Sequence, residues 1–307
     1  LKAGVLGAGT MGAQIAAHLA NVGIPSVLLD MPQQGRDKSK LARSALKHLT
    51  RMRPAPFYGR GGWSLIHPGN FEDDLGLLGD CDWVVEAVAE RLEVKQKLWA
   101  EVEPHLNPGT IVSSNTSGLS IEAIASARSQ EFRSHWLGTH FFNPPRYMKL
   151  LEIIPGSDTL PEVVEFLSRF GDRKLGKGIV FAKDVPNFVA NRIGAFAASA
   201  AMHLTEKIGL SIEEVDALTG PVIGRPKTAT FRLADLIGND IMCHVSENLY
   251  ESLPDDSWRE LLAPNDLQLR LVERGWNGRK AGQGYYLKKG GEFLVLDPKT
   301  MEYRSQQ

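Results

Sequence analysis

Cysteine is scarce in this chain of 307 residues, in which Cys81 and Cys243 are the two cysteines. They are far apart and lack the neighbouring ligands of a zinc or redox motif. This usage excludes a disulfide-stapled scaffold and fits a reducing compartment, so we expect both to be small, buried apolar residues. No metal site is predicted, and a cytoplasmic location is the default expectation.

An excess of charge of one sign and long apolar runs are also lacking. The 35 Lys and Arg nearly balance the 36 Asp and Glu, for a formal net charge of −1. We therefore expect neither nucleic acid nor a membrane surface as a partner. No run approaches the roughly 18 apolar residues of a membrane span, and the first residues predict a buried strand rather than a signal peptide.

The first half of the chain alternates short apolar runs with amphipathic helical stretches. Strands are predicted at 3–6, 26–30, 64–67, 83–86, 110–114, 138–142, 150–154 and 178–181. Helices are predicted near 11–22, 36–53, 92–104, 120–127 and 160–171. Such alternation predicts an α/β, Rossmann-type domain with a mostly parallel sheet covered on both faces.

The pattern changes near residue 184. Residues 187–208 predict a long Ala-rich helix, and Ser211 with Glu214 predicts a capping box for the next helix. Residues 285–287 and 293–296 predict a terminal hairpin. We expect two domains, a Rossmann-like domain at 1–184 and a helical C-terminal domain at 185–307.

Glycines near the amino terminus predict a dinucleotide site. Gly7, Gly9 and Gly12 follow an apolar strand and open a helix with the spacing G-x-G-x-x-G. Asp30 ends the next strand, where a carboxylate would bind the ribose hydroxyls and repel a 2′-phosphate, so NAD is favoured over NADP. A purely structural glycine turn is the alternative, and Arg36 could soften the repulsion.

A local excess of positive charge follows the second strand. Between residues 36 and 60, eight basic residues stand against one acid, Asp37. They are Arg36, Lys38, Lys40, Arg43, Lys47, Arg51, Arg53 and Arg60. A solvated helix face is the usual meaning of such a run. Because the run adjoins the nucleotide site, a second, polyanionic small molecule is the other interpretation, and the residues alone leave both open.

His140 and Glu152 are the candidate proton-transfer pair. His140 ends a strand at the edge where ligands collect in open α/β sheets, and Glu152 lies inside the apolar run 150–154. A carboxylate in a buried strand is costly unless it is paired. Pairing would fix the imidazole tautomer for removing a proton from an alcohol. A purely structural pair is the alternative.

Two further polar groups stand out. Residues 113–117 (SSNTS) end a strand and predict either ligand contacts or a helix cap. Asn191 and Arg192 interrupt the apolar stretch 188–201, where a substrate carbonyl would be a suitable partner.

Several separate motifs resemble the L-3-hydroxyacyl-CoA dehydrogenases of fatty-acid β-oxidation over nearly the whole chain. They are GAGTMG at 7–12, VVEAVAE at 84–90, SSNTSGLSI at 113–121, HFFNPP at 140–145, KLLEIIPG at 149–156, NR at 191–192 and GRKAGQGYY at 278–286. The resemblance implies oxidation of an L-3-hydroxyacyl-CoA to a 3-ketoacyl-CoA with hydride transfer to NAD.

The resemblance also implies roles for residues. His140 is the general base and Glu152 its orienting partner, while Ser117 and Asn191 contact the substrate near its 3-oxygen and thioester. The positions that match cofactor-binding residues are Gly7, Gly9, Thr10, Met11, Gly12, Asp30, Glu90, Lys95, Ser117, Asn143 and Lys280. The basic stretch matches the region that receives coenzyme A, with Lys40 and Lys47 as candidate contacts.

Two departures from the family pattern are visible. Gly118 stands where a second serine often follows Ser117, and residues 53–63 replace the second arm of a helical hairpin. The second departure resembles long bacterial proteins in which an enoyl-CoA hydratase domain follows, and we expect such a domain in the full-length chain. A homodimer through the helical domain is compatible with the resemblance.

Three rival functions stay open at this point. One is a biosynthetic 3-hydroxybutyryl-CoA reductase, which runs the same chemistry backwards. Another is a related dehydrogenase that acts on a free hydroxy acid or sugar acid. The third is a non-catalytic NAD-binding protein of the same fold.

Overall fold

The structure is a computed structural model that describes residues 1–59 and 61–307. Arg60, the last residue of the predicted basic run, lies outside the described residues. The chain divides into two compact units, Leu1–Val189 and Ala190–Gln307. Among the described residues, no helix is both long enough and apolar enough to cross a membrane.

The first unit is built on an eight-stranded sheet. Its strands are β1 Ala3–Leu6, β2 Ser26–Asp30, β3 Ile66–Asn70, β4 Trp83–Glu86, β5 Ile111–Ser114, β6 Trp136–Phe141, β7 Leu150–Pro155 and β8 Gly178–Phe181. Their order is β3-β2-β1-β4-β5-β6-β7-β8. All neighbours are parallel except β6 and β7. The predicted mostly parallel sheet is therefore confirmed.

Six helices flank this sheet: α1 Thr10–Asn21, α2 Lys40–Leu49, α3 Leu92–Val102, α4 Ile121–Ala125, α5 Gln130–Ser134 and α6 Pro161–Arg173. The helix predicted at 36–53 was too long at both ends, since α2 begins at Lys40 and is followed after Leu49 by turns in which the N–H groups of Arg51 and Met52 bond to carbonyls three residues back. The strand predicted at 64–67 begins later, at Ile66, since Gly62–Leu65 form a short 3₁₀ turn.

Apolar side chains cover both faces of the sheet. Val84 and Val85 are neighbours on β4, yet they belong to different buried clusters, because successive strand residues point to opposite faces. Helices pack on both clusters, with Ile15 of α1 on one side and Trp99 of α3 on the other. Double coverage explains why the strands are apolar throughout instead of alternating. Polar side chains are thereby concentrated at the strand ends.

The second unit is mainly helical. Its helices are α7 Ala190–Ile208, α8 Ile212–Thr219, α9 Phe231–Ile237, α10 Asn239–Ser252 and α11 Asp266–Glu273. The capping box of Ser211 and Glu214 is confirmed. The predicted hairpin is also confirmed, as β9 Tyr286–Lys289 and β10 Glu292–Leu296. A third strand, β11 Tyr303–Ser305, pairs with β10 and was not predicted. Cys81 and Cys243 are both buried and free, as expected.

The Asp235 carboxylate binds the backbone of the motif GRKAGQGYY, which gives this motif a structural role in the second unit. Its Oδ1 accepts the N–H of Tyr285 at 2.9 Å and its Oδ2 accepts the N–H of Tyr286 at 2.8 Å. A Cβ on Gly284 would lie 2.0 Å from Oδ1, so glycine is required there. Burial raises the pKa of Asp235 to about 6, while the N–H groups that it accepts favour the ionised carboxylate.

We predict that Asp235→Asn lowers the thermal unfolding midpoint by several degrees, whereas Asp255→Asn at an exposed position leaves it unchanged. One of the two tyrosine N–H groups would face the new NH₂ and lose its acceptor, which costs about 1–3 kcal/mol when the group is buried. Calorimetry on both variants provides the measurement. An unchanged midpoint in Asp235→Asn would contradict this account of the motif.

Candidate active site and cofactor cleft

A cavity of about 960 Å³ opens where β1, β2 and β4 end, and its lining includes Gly7, Gly9, Asp30 and Ala87. Gly7 has a φ of +99°, which favours glycine. A Cβ on Gly12 would lie 1.9 Å from the Gly7 carbonyl oxygen, so only glycine lets α1 begin this close to β1. Gly9 faces open space, with no atom within 4 Å of its Cβ position. The glycine turn therefore borders a cavity large enough for a nucleotide.

The start of α1 is suited to bind a pyrophosphate. Gly9 is its N-cap and provides no side-chain hydrogen bond, and the first turn contains no acidic residue. Thr10 and Met11 open the helix and line the same cavity. Since the first N–H groups of a helix lack intrahelical partners and form its positive end, an anion fits here.

Asp30 is fixed at the same cavity by two backbone groups. Its Oδ2 accepts the N–H of Ala8 at 2.6 Å and its Oδ1 accepts the N–H of Met31 at 2.6 Å. Each carboxylate oxygen keeps capacity to accept a further hydrogen bond, which suits two ribose hydroxyls. The glycine turn, the uncapped helix start and Asp30 together fit NAD.

Glu86, Lys95 and Glu90 form an ion network at the ends of β4 and β5. The Lys95 ammonium is 1% exposed and lies 2.7 Å from Glu86 Oε1 and 3.2 Å from Glu90 Oε2. Glu90 Oε1 accepts the Thr116 hydroxyl at 2.6 Å and the Ser117 N–H at 2.7 Å. Burial alone would raise the pKa of Glu90, but Lys95 and these donors hold it below its ordinary value. The network thus fixes the loop that begins at Ser117.

Sequence reasoning missed Glu86, although it gave the same signal as Glu152, an acid within an apolar strand. Glu86 is fully buried, and its Oε2 accepts the Ser114 hydroxyl at 2.6 Å. Glu90 and Lys95 were predicted to bind the cofactor. The structure places the Lys95 amino group inside the protein, and direct contact with the cofactor stays a prediction.

The polar run 113–117 separates into internal contacts and one exposed residue. Ser113 bonds to Trp83 Nε1 at 2.9 Å and to the Thr139 hydroxyl at 2.8 Å. Asn115 Oδ1 accepts the N–H of Phe141 at 2.8 Å. Ser117 is exposed, and its hydroxyl has no hydrogen-bond partner within the described ranges. Within this run, Ser117 is therefore the side chain free to contact a ligand.

The helix-cap interpretation of that run is wrong. The cap of α4 is Ser120, which accepts the N–H of Ala123 at 3.2 Å. Asp184 supports the same helix end, because it accepts the Ser120 hydroxyl at 2.7 Å and the N–H groups of Ile121 and Glu122. The segment that begins at Asp184 is thereby tied to the Ser117 loop.

His140 and Glu152 are brought together by the antiparallel pairing of β6 and β7, which places the two residues directly opposite each other. His140 Nδ1 lies 2.7 Å from Glu152 Oε2. His140 is 4% exposed and Glu152 is fully buried. Because an ionised carboxylate can only accept, Nδ1 holds the proton in neutral imidazole and Nε2 is left as the basic nitrogen.

Aromatic rings and one backbone donor complete this pair. The rings of Phe142 and Phe188 lie 4.4 Å and 5.7 Å from the imidazole, measured between centroids. Glu152 Oε1 also accepts the N–H of Val189 at 3.1 Å. The carboxylate is therefore held at both oxygens, and the imidazole has little freedom to turn.

The loop after β6 is anchored by two residues that sequence reasoning missed. Gln14 Nε2 donates to Asn143 Oδ1 at 3.1 Å, which ties this predicted cofactor contact to α1. The buried Lys177 ammonium donates to the carbonyls of Pro145 and Met148. Burial lowers the pKa of Lys177 to about 8. Neither Gln14 nor Lys177 belongs to a recognisable motif, so the sequence alone did not indicate that they anchor this loop.

The candidate coenzyme A contacts lie on α2, the helix that follows β2. Lys40 and Lys47 are exposed on α2. Two of the other basic residues there are neutralised locally, since Lys38 pairs with Glu72 at 2.7 Å and Arg43 pairs with Asp37. Contact of Lys40 and Lys47 with coenzyme A stays a prediction.

Asn191 and Lys280 belong to the second unit. Asn191 lies in the first turn of α7, and its neighbour Arg192 pairs with Asp256. The Lys280 ammonium lies 2.6 Å from Asp240 Oδ1. Contact of Asn191 with substrate and of Lys280 with the cofactor stays a prediction.

The doubly wound sheet, the glycine turn with Asp30 and the buried His–Glu pair define a dinucleotide-dependent dehydrogenase. Residues 2–185 match the family model described as 3-hydroxyacyl-CoA dehydrogenase, NAD binding domain. Residues 188–288 match the C-terminal domain model of the same family. The chain belongs to the 3-hydroxyacyl-CoA dehydrogenase family.

Relatives agree with this membership. The chain is 47% identical to a probable 3-hydroxyacyl-CoA dehydrogenase of Bacillus subtilis over 98% of this chain and 40% of the relative. It is 46% identical to one of Deinococcus radiodurans, over 95% of this chain and 84% of the relative. The solved structure of (S)-3-hydroxybutyryl-CoA dehydrogenase PaaH1 from Ralstonia eutropha has a TM-score of 0.79 and 29% identity, over 94% of this chain and 99% of that one. This chain thus spans less than half of the Bacillus relative.

We predict that Asp30→Ala weakens NADH binding by about tenfold or more, because two hydrogen bonds to the ribose are lost. The ratio of NADH affinity to NADPH affinity should decrease in the same variant, since the carboxylate that repels the 2′-phosphate is gone. Fluorescence titration with both nucleotides is the measurement, and Asp37→Ala at an exposed position is the control. Equal NADH affinity in Asp30→Ala and the wild type would refute the ribose assignment.

Proposed function

We propose that this chain oxidises L-3-hydroxyacyl-CoA thioesters to 3-ketoacyl-CoA with NAD. The observation that supports this most directly is the His140–Glu152 pair, with Nδ1 bound to a fully buried carboxylate at 2.7 Å. NAD, when bound at the glycine turn and Asp30, supplies the acceptor for the hydride that leaves C3. Residues of the chain accept and hold the proton of the 3-hydroxyl group.

His140 is the general base in this proposal. Its Nε2 accepts the proton of the 3-hydroxyl group, and Glu152 stabilises the imidazolium that forms. The same carboxylate holds the ring in the tautomer that leaves Nε2 unprotonated before reaction. Phe142 and Phe188 pack near the ring and limit the access of water.

Ser117 and Asn191 align the substrate in this proposal. The exposed Ser117 hydroxyl is presented by a loop that Glu90 holds through the Ser117 N–H. Asn191 supplies an amide from α7. Fixing the reacting carbon in this way lowers the barrier through orientation rather than through chemistry.

The acyl-CoA class of the substrate agrees with the basic face of α2. Lys40 and Lys47 are exposed there, and no ion pair occupies them within the described ranges. Free ammonium groups on the helix that follows β2 suit the phosphates of coenzyme A. The structure of a 3-hydroxybutyryl-CoA dehydrogenase among the neighbours favours a short-chain substrate as the second candidate. Turnover of substrates with a series of acyl-chain lengths, measured for oxidation and for reduction, distinguishes a short-chain enzyme from one that accepts longer chains.

We predict that His140→Gln lowers kcat by about 10²–10⁴-fold, the usual contribution of a general base, while NADH affinity is unchanged. Glu152→Gln should lose less activity: its amide oxygen can still accept the hydrogen bond from Nδ1–H, but the negative charge is lost and the Val189 N–H then faces the NH₂ group. Absorbance of NADH formed from L-3-hydroxybutyryl-CoA is the measurement, with the exposed His105→Gln as control.

The same assay distinguishes the rival functions. If His140→Gln turned over substrate at the wild-type rate, His140 would not be the general base. Equal activity on the free hydroxy acid would identify a dehydrogenase that needs no coenzyme A. Binding of NAD without turnover of any acyl-CoA would identify a non-catalytic relative.

We also propose that the second unit forms a homodimer. Large apolar side chains between residues 218 and 241 are exposed in the single chain: Leu218, Val222, Ile223, Leu233, Leu236, Ile237 and Ile241. Exposed large apolar side chains concentrated in one stretch of the chain support an interaction site there. An enoyl-CoA hydratase domain that accompanies this chain in a longer protein stays a prediction.

We predict that Val222→Glu converts this dimer to a monomer without unfolding it. Val222 is 79% exposed, so the glutamate is tolerated in the protomer but is buried at the interface. Sedimentation equilibrium measures the mass, and Phe293→Glu, at a 50% exposed residue outside the cluster, is the matched control. A wild-type chain that sediments as a monomer would overturn the proposal.

A further inference from the structure

The segment from Asp184 to Val189 is held against both halves of the candidate site. Asp184 accepts three hydrogen bonds from residues 120–122. At the other end, Val189 donates to Glu152, and the Phe188 ring lies 5.7 Å from the His140 imidazole. Asn187 therefore occupies a fixed position between the Ser117 loop and the His140 pair.

The backbone at Asn187 is in the left-handed region, with a φ of 59°. Asparagine adopts this conformation more readily than most residues with a side chain. It turns the chain so that Phe188 is 2% exposed beside His140. The backbone geometry is thus suited to asparagine, and glycine would also fit.

The Asn187 carboxamide lies directly over Gly118. A Cβ added to Gly118 would be 2.9 Å from Asn187 Oδ1, closer than side chains normally approach. The carboxamide therefore fills the space that a side chain at position 118 would need. This is a geometric reason for the departure from the family pattern at Gly118.

The same carboxamide is free to bind a ligand. Asn187 is half-buried, and neither Oδ1 nor Nδ2 has a hydrogen-bond partner among residues 1–59 and 61–307. It lies against Gly118, the neighbour of Ser117, and the exposed Ser117 hydroxyl is also unpaired among the described residues. Two unpaired polar groups on adjoining parts of the backbone, in contact with the segment that packs Phe188 near His140, are suited to one polar substrate.

We propose that Asn187 is a further substrate-positioning residue, whose Nδ2 donates a hydrogen bond to an oxygen of the hydroxyacyl thioester. Gly118 is its necessary counterpart, because any side chain there displaces the carboxamide. The proposal rests on the proposed function, since it names a contact within that same site. It makes positions 118 and 187 a coupled pair.

The test is a double-mutant cycle made of Asn187→Gly, Gly118→Ser and the two combined, together with Asn187→Asp. Asn187→Asp keeps the shape and the backbone preference but removes the donor. Asn187→Gly removes the side chain without backbone strain. Val185→Ala, in the same segment but without a polar side chain, is the matched control.

Each single variant at 118 or 187 should lower kcat/KM for L-3-hydroxybutyryl-CoA by about tenfold, the effect of one lost hydrogen bond. Melting temperature and NADH affinity should stay at the wild-type values. In the combined variant the serine occupies the vacated space, so kcat/KM should return to within about threefold of wild type. Such non-additivity is expected of residues in contact.

Binding of acetoacetyl-CoA, measured by calorimetry, separates this inference from the proposed function. A wild type that binds acetoacetyl-CoA but turns over no hydroxyacyl-CoA would refute the proposed function. The Asn187 contact would still be tested in that case, because Asn187→Asp should bind acetoacetyl-CoA more weakly than the wild type. Variants within twofold of wild type in binding and kcat/KM, or strictly additive losses, would overturn the role of Asn187. Parallel losses of melting temperature and NADH affinity would show a structural role and overturn it equally.

Discussion

The contact between His140 Nδ1 and Glu152 Oε2 is the interaction on which the arrangement of the site depends. It exists because β7 runs antiparallel to β6, with His140 and Glu152 in register. A carboxylate buried inside an apolar strand requires partners, and Glu152 finds them in the imidazole and in the Val189 N–H. One buried charge thereby fixes the ring orientation and the segment that leads to the helical unit.

A second buried carboxylate organises the neighbouring strand ends in the same way. Glu86 ends β4 and is fully buried, where it binds Lys95 and Ser114. Lys95 in turn holds Glu90, which positions the Ser117 N–H. Both candidate reactive regions, the His140 strand and the Ser117 loop, are thus held in place by buried acids. Glu152 and Glu86 occupy positions in the sheet where the neighbouring residues are apolar, and each binds several hydrogen-bond donors.

The sequence predicted the sheet, the helical second half, the glycine turn and the His140–Glu152 pair, because each rests on local spacing or on strand order. It did not predict the length of α2, since the turns that follow Leu49 have no distinct signal within the basic run that begins at Arg36. Gln14, Lys177 and Asp184 were also missed. Their partners lie far away in the chain, and isolated polar residues of these types are usually surface residues.

The Lys177 anchor has a consequence for alkaline conditions. Its two acceptors are backbone carbonyls, which do not titrate, and a neutral amine still has two N–H donors for them. The loop after β6 therefore keeps both bonds when the lysine deprotonates, with its pKa lowered to about 8. Because the folded state releases this proton before the unfolded chain does, the contribution of Lys177 to stability rises with pH between about 8 and 10.5. Deprotonation of Lys177 therefore leaves the anchor of the Asn143 loop in place.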